Sequence, residues 1–151
     1  MAQSLSKVQV HLIFSTKNRF AFLLDAELRR RVHTYIARIL NEHDSPAIEV
    51  GGWIDHVHAL FSLSRNHAIS EIVRKAKANS SGWVKTQGGL LTKFEWQAGY
   101  CAISVSPSQL EQVRRYIMEQ EEHHRVRTFQ EELLDILRNC KLPYDERYIW
   151  T

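Results

Sequence analysis

The chain has 151 residues, 44% of them hydrophobic and 25% charged, with a formal charge of +3 and a pI near 9.0. That length suits one domain over residues 1–151 with a full core, and the composition excludes a disordered or fibrous protein. Cys101 and Cys140 stand too far apart in sequence for a zinc pairing or a disulfide framework, no apolar run reaches the length of a membrane span, and MAQSLSKVQV lacks the order of a signal peptide, so a cytoplasmic protein with reduced thiols and no membrane contact is expected.

Residues 7–16, KVQVHLIFST, place Val8, Val10, Leu12 and Phe14 on one side and Gln9, His11, Ile13 and Ser15 on the other, the period of a strand. After a turn-like TKNRFAF, Asp25 is the N-cap of a helix over AELRRRVHTYIARIL, where Leu28, Val32, Tyr35, Ile36 and Ile39 recur at helical spacing; it ends near Asn41, before Pro46. AIEV reads as a short strand, GGWID as a turn and HVHALFSL as the hairpin partner. A second helix runs from about Ala68 through ISEIVRKAKANSSGWV, with Ile69, Ile72, Val73 and Ala76 inward and Arg74, Lys75 and Lys77 outward, and the Gly88-Gly89 pair ends that segment. Lys93 to Ser106 reads as a fourth strand region, with Gly99 allowing a bulge or a close approach. Pro107 opens a third helix, PSQLEQVRRYIMEQEEHHR, and an amphipathic TFQEELLDILRNC and the tail KLPYDERYIW follow. This β-α-β-β-α-β order followed by helices predicts an α+β, ferredoxin-like fold: an antiparallel sheet with the first and third strands central, two helices on one face and the other face open.

In HVHALFSL, Val57, Ala59, Phe61 and Leu63 share one face, and His56, His58 and Leu60 the other. With the apolar face under the helices, both imidazoles emerge on the open face, close enough for one ring nitrogen of each to meet a divalent cation. From spacing alone such a pair reads more readily as a polar surface. The third helix shifts the balance: Leu110, Val113 and Ile117 form its inner stripe, while Tyr116 and Gln120 lie side by side along its edge and reach the same sheet face. Gln120 then adds an oxygen to two nitrogens, a donor set with open positions that suits Mg²⁺ or Mn²⁺.

HVH at 56–58, YIMEQ at 116–120, HLIFSTKNR in the first strand, WQAGY in the fourth and SVS with QVRRYI ahead of the tyrosine resemble the single-tyrosine HUH transposases of the insertion-sequence-200 type, over nearly the entire chain. The resemblance implies a metal-dependent single-stranded DNA transposase whose C-terminal helices carry the catalytic tyrosine. His56, His58 and Gln120 would hold Mg²⁺ or Mn²⁺, and Tyr116 would form a 5′-phosphotyrosine link and leave a free 3′-hydroxyl. It further implies a homodimer with active sites shared between subunits, and DNA ends recognised as imperfect hairpins. The chemistry is consistent: a phenol of pKa ~10 is a poor nucleophile, and a cation that neutralises and orients the scissile phosphate reduces the demand on it. The phosphotyrosine conserves the phosphodiester's energy, so no nucleotide cofactor is expected, and the sequence carries no GxxxxGK[ST] loop.

Lys17 and Arg19, after the first strand, and Arg74 and Lys77, on the second helix, are candidate DNA contacts, with solvated basic faces as the alternative. Trp53, Trp83 and Trp96 read as core, with base stacking as the alternative. His11 has the parity of the polar side and faces the site in a structural or substrate-side role, His123 and His124 become ligands only if the helix is rotated, and Glu119 points away. Tyr100 and Tyr35 read as core, and Tyr144 and Tyr148 as packing on a partner. Rival readings are a domesticated HUH nickase serving the host, and a non-catalytic ferredoxin-like nucleic-acid binding module.

Overall fold

A computed structural model describes residues 2–151. Strands β1 (Gln9–Ser15), β2 (Ala47–Trp53), β3 (His56–Ser62) and β4 (Cys101–Val105) form an antiparallel sheet in the order β2-β3-β1-β4, so β1 and β3 are central as expected. Helix α1 (Ala26–Glu42) follows β1 and α2 (Ile69–Lys85) follows β3; α3 (Leu110–Met118), α4 (Gln120–His123) and α5 (Phe129–Asn139) come after β4. Among the described residues no helix is long and apolar enough to cross a membrane.

The period-two pattern of the central strands decides which side chains go where. Val10, Leu12 and Phe14 of β1 and Val57, Ala59 and Phe61 of β3 point under α1 and α2, where they meet Val32, Ile36, Leu40, Ile72 and Val73, all at most 2% exposed. Burial of each larger side chain contributes about 1.5–3 kcal/mol. Asp25 caps α1 by accepting from the Leu28 N–H at 2.8 Å, as its position predicts.

The opposite face is covered, not open. Helix α3 lies against β2 and β3, while Phe129, Leu133 and Leu137 of α5 pack on Ile13 of β1 together with Cys101, Ile149 and Trp150. The predicted third helix is also interrupted: Glu119, at φ −97° and ψ 17°, separates α3 from α4. Further along the chain, the fourth strand is shorter than its apolar run, because Gly89–Lys93 forms a 3-10 turn and Phe94 and Trp96 are drawn into the core as an edge-to-face pair with centroids 4.7 Å apart. Tyr100, just before β4, is 42% exposed and outside the core.

GGW belongs to β2, leaving Ile54 and Asp55 as the hairpin turn. Its glycines serve close approach. A Cβ on Gly51 would stand 2.7 Å from the Ile117 carbonyl oxygen of α3, and one on Gly52 2.2 Å from the His56 carbonyl oxygen. Gly51 therefore sets how near α3, and Tyr116 on it, can come to the sheet. Gly51→Ala should lower the melting temperature by roughly 2–12 °C through overpacking, measured by thermal unfolding; an unchanged value would contradict this contact.

Candidate metal and tyrosine site

Strand β3 delivers His56 and His58 to the face under α3–α5, their ring centroids 5.1 Å apart and both fully buried. His56 Nε2 lies 2.9 Å from Gln120 Oε1 and 3.4 Å from Glu132 Oε1, and His58 Nε2 lies 3.1 Å from the same Glu132 oxygen. His124 Nε2 approaches Gln120 Oε1 at 3.0 Å and Glu132 Oε1 at 3.2 Å. The other carboxylate oxygen, Oε2, accepts from the Gln120 side-chain amide at 2.8 Å and from the Tyr116 hydroxyl. One carboxylate thus touches three imidazoles, an amide and a phenol.

The four residues expected to converge, His56, His58, Tyr116 and Gln120, do come together within one chain. The break at Glu119 lets the chain change direction between Tyr116 and Gln120, so Gln120 is buried while Glu119 points to solvent. The same redirection brings His124 inward, the outcome expected of a rotated helix; His123 instead stacks on the Tyr116 ring at 4.6 Å. Glu132 is the member that the sequence pattern did not single out. Its signal is an acid on the inward stripe of an amphipathic helix, among Phe129, Leu133 and Leu137.

Around this centre the hydrogen bonds fix ring orientations. His56 donates from Nδ1 to Asp55 at 2.8 Å, and His58 Nδ1 meets His11 Nε2 at 2.8 Å. Both rings therefore present Nε2 to the carboxylate, and His11 occupies the supporting place its strand parity predicts.

Burial opposes charge on His56, but hydrogen bonds to Asp55 and Glu132 outweigh it and hold the pKa up at about 9. Burial lowers His58, and burial with His58 as neighbour lowers His11 to about 3. Glu132 is also penalised by burial, yet His58, His124 and His56 keep it ionised, well below the usual carboxylate range. Tyr116 is raised by burial and by the adjacent Glu132 charge, so its phenol keeps its proton at neutral pH. An imidazolium and a carboxylate buried together offset each other's desolvation.

The donors suit a divalent cation. One ligand atom each from His56, His58 and Glu132 lie within 4.8 Å of one another, with Gln120 Oε1 beside them. Two imidazole nitrogens with carboxylate and amide oxygens form a mixed set of borderline hardness. A cation there would take over the charge balance that the His56 proton supplies.

The four expected DNA contacts do not form one patch. Lys17 pairs with Glu95 at 2.8 Å, and Arg19 lies over the Trp150 ring at 5.5 Å and lines a cleft of about 600 Å³ that also involves Trp53, Asp55 and His124. Arg74 is exposed beside a different pocket. Lys77 does not turn outward: its amine bends back to donate to the carbonyls of Gln97 and Ala98 at 2.8 and 3.2 Å, and to that of Gly99, and burial lowers its pKa to about 8. Trp96 is core; Trp53 and Trp83 lie beneath the guanidinium groups of Arg29 and Arg31 at 4.7 and 4.9 Å.

These shifts set a pH profile for the ion-free protein. Burial holds His11 near 3 and His33 near 4 in the fold, below the ordinary 6.5, so the unfolded chain binds more protons and stability rises with pH up to about 6.5. His56, raised to about 9, contributes fully below 6.5 and loses its contribution as pH climbs through 9. Thermal melts should therefore peak near pH 6.5 and decline towards pH 8, and Asp55→Asn should flatten the decline. A melting temperature that climbs steadily across pH 6.5–8 would contradict the charged state of His56.

Residues 4–120, well over half the chain, match the profile of the family described as IS200-like transposase. A search of curated proteins finds no match. Among solved structures, a candidate transposase of Deinococcus radiodurans R1 superposes with a TM-score of 0.64 at 24% identity, over 80% of this chain and 95% of its own. A REP-associated tyrosine transposase solved with a REP hairpin superposes with a TM-score of 0.60 at 15% identity, over 82% of this chain and 73% of its own. At these identities the superpositions establish the fold, an α+β architecture with a four-stranded antiparallel sheet. By the match over residues 4–120, the chain belongs to the family of IS200-like transposases.

Proposed function

We propose that this protein is a cytoplasmic, single-domain, divalent-metal-dependent transposase that cleaves and rejoins single-stranded DNA through Tyr116. The observation that carries the reading is the meeting of the Tyr116 phenol with the His56–His58 pair at one buried carboxylate. A nucleophile and a candidate cation site share a neighbour, which is the proximity a phosphodiester between them requires.

His56 and His58, with oxygens from Gln120 and Glu132, would hold Mg²⁺ or Mn²⁺, which when bound supplies neutralising charge to the scissile phosphate. Tyr116 Oη attacks phosphorus: the Oη–P bond forms, the P–O3′ bond breaks, and the electron pair goes to the 3′-oxygen. The Tyr116 hydroxyl donates to Glu132, which orients the phenol, and the net proton transfer is from Oη to the 3′-oxygen, giving the free hydroxyl. His11 and Asp55 keep the two histidines oriented throughout. Rejoining reverses these bond changes and needs no nucleotide.

The solved relative's REP hairpin supports hairpin ends as the DNA recognised. Lys17, Arg19 and Arg74 are the proposed phosphate contacts; the amine of Lys77 is occupied by carbonyls and contributes less. A homodimer is the assembly that the resemblance implies, but sharing of active sites between subunits would require α3 to leave its own sheet. The arrangement supports tyrosine and histidines of one chain acting together.

Labelled single-stranded hairpin oligonucleotides from the flanks of the gene, incubated with Mg²⁺, Mn²⁺ or EDTA, should give a denaturation-resistant adduct only with metal. Tyr116→Phe should lose it by on the order of 10³-fold or more while DNA affinity is kept. Tight binding without adduct for every oligonucleotide and ion would favour the non-catalytic module instead. Mixing Tyr116→Phe with His58→Ala chains should leave cleavage unrestored; restoration would show sites shared between subunits. In calorimetry with Mn²⁺, His11→Ala should bind about 10–100-fold more weakly because His58 loses its orienting partner, and unchanged affinity would remove His11 from that role.

A further inference from the structure

We propose that Arg127 is a catalytic residue of this site, its guanidinium holding the Tyr116 phenolic oxygen while that oxygen serves first as nucleophile and then as leaving group. The inference rests on the reading of Tyr116 as the nucleophile. Arg127 lies beyond residues 4–120, the part of the chain that matches the family, and no sequence motif singles it out.

Arg127 Nη2 donates to Tyr116 Oη at 3.2 Å, while Nη1 donates to Asp135 of α5 at 2.7 Å. The backbone is fixed as well: the Arg127 carbonyl oxygen accepts from His124 Nδ1 at 2.9 Å, and the other nitrogen of that ring faces Gln120 and Glu132. The guanidinium is therefore held at two points, on the phenol and on α5, and the Arg127 backbone at a third, by the ring that borders the carboxylate. It also lines the cleft of about 600 Å³ shared with Arg19, Asp55 and His124, so it stands between that cleft and the nucleophile.

The phenolic oxygen has two opposite neighbours. Glu132 accepts its proton, and Arg127 donates to its lone pair. A guanidinium does not lose its proton in proteins, so Arg127 is a permanent donor and not a base. In cleavage, as Oη bonds to phosphorus and its proton departs, the Arg127 N–H stabilises the charge developing on the oxygen. In rejoining, the 3′-hydroxyl bonds to phosphorus, the P–Oη bond breaks with its electron pair going to Oη, and the hydroxyl's proton ends on Oη. Arg127 supports the same atom in both directions and ends as it began. Asp135 is a positioning residue, acting through Arg127.

The test compares wild type, Tyr116→Phe, Arg127→Ala, Arg127→Lys and Asp135→Asn for single-turnover adduct formation, single-stranded DNA affinity and thermal melting. Arg127→Ala should form adduct about 10²–10³-fold more slowly, the range for loss of one donor to a developing oxyanion, with DNA affinity and melting temperature near wild type. Guanidinium ion at millimolar concentration should recover part of that rate. Arg127→Lys should recover little, because an ammonium lacks the fork that spans Asp135 and Oη, and Asp135→Asn should show a smaller loss than Arg127→Ala. Wild-type adduct rates in Arg127→Ala would overturn the proposal. So would a loss that guanidinium does not rescue and that runs in parallel with lower melting temperature and weaker binding, since that marks a structural ion pair. If wild type itself forms no adduct with either ion, the Tyr116 reading fails and this inference with it; an adduct in wild type with no effect at Arg127 defeats the inference alone.

Discussion

The buried carboxylate of Glu132 is the contact on which this side of the molecule depends. An ionised acid away from water is costly unless charge and hydrogen bonds surround it. Here both oxygens are used, one towards His56, His58 and His124 and the other towards Gln120 and Tyr116. Because those partners come from β3, α3, α4 and the segment before α5, satisfying one side chain fixes four pieces of chain relative to each other. Removing the acid would leave His58, the Tyr116 hydroxyl and the Gln120 amide without the acceptor they share, and removing any donor would leave part of the charge exposed to a dry interior.

Several local choices exist to make that meeting possible. Alternation along β3 turns His56 and His58 away from the α1–α2 core, and alternation along β1 turns His11 and Ile13 the same way, one to brace His58 and the other to receive α5. Gly51 removes the side chain that would hold α3 off the sheet, and Glu119 breaks the helix so that Tyr116 and Gln120 approach the carboxylate from different directions. With the face roofed by α3–α5, the cleft beside Arg19, Asp55 and Arg127 borders the centre at His124. The solvent-excluded setting strengthens electrostatic contacts made inside it.

Much of this was legible in the sequence because it follows from short-range patterns. Strand parity placed His56, His58 and His11 on one face, and Asp25 marked the start of α1. The spacing from Tyr116 to Gln120 brought both to the site, although the helix assumed for that spacing is interrupted. What escaped depended on long-range packing. Glu132 looks like one acid among several in EELLD until the face of α5 that meets the sheet is known, and GGW looks like a turn until Ile117 is seen above Gly51. Lys77 illustrates the reverse error: helical position turns its Cβ partly outward, but a long stem lets the amine return to backbone carbonyls. The roof over the sheet is illegible for the same reason, since nothing local says where a C-terminal helix will dock.

The most direct test of the central claim, that one carboxylate joins the candidate cation site to the tyrosine, is a Mn²⁺ titration followed by electron paramagnetic resonance on wild type and Glu132→Gln. The account predicts one bound ion per wild-type chain and an affinity about 10–100-fold weaker when the charge of Glu132 is removed. Equal affinities in the two proteins, or no bound ion in wild type, would contradict it.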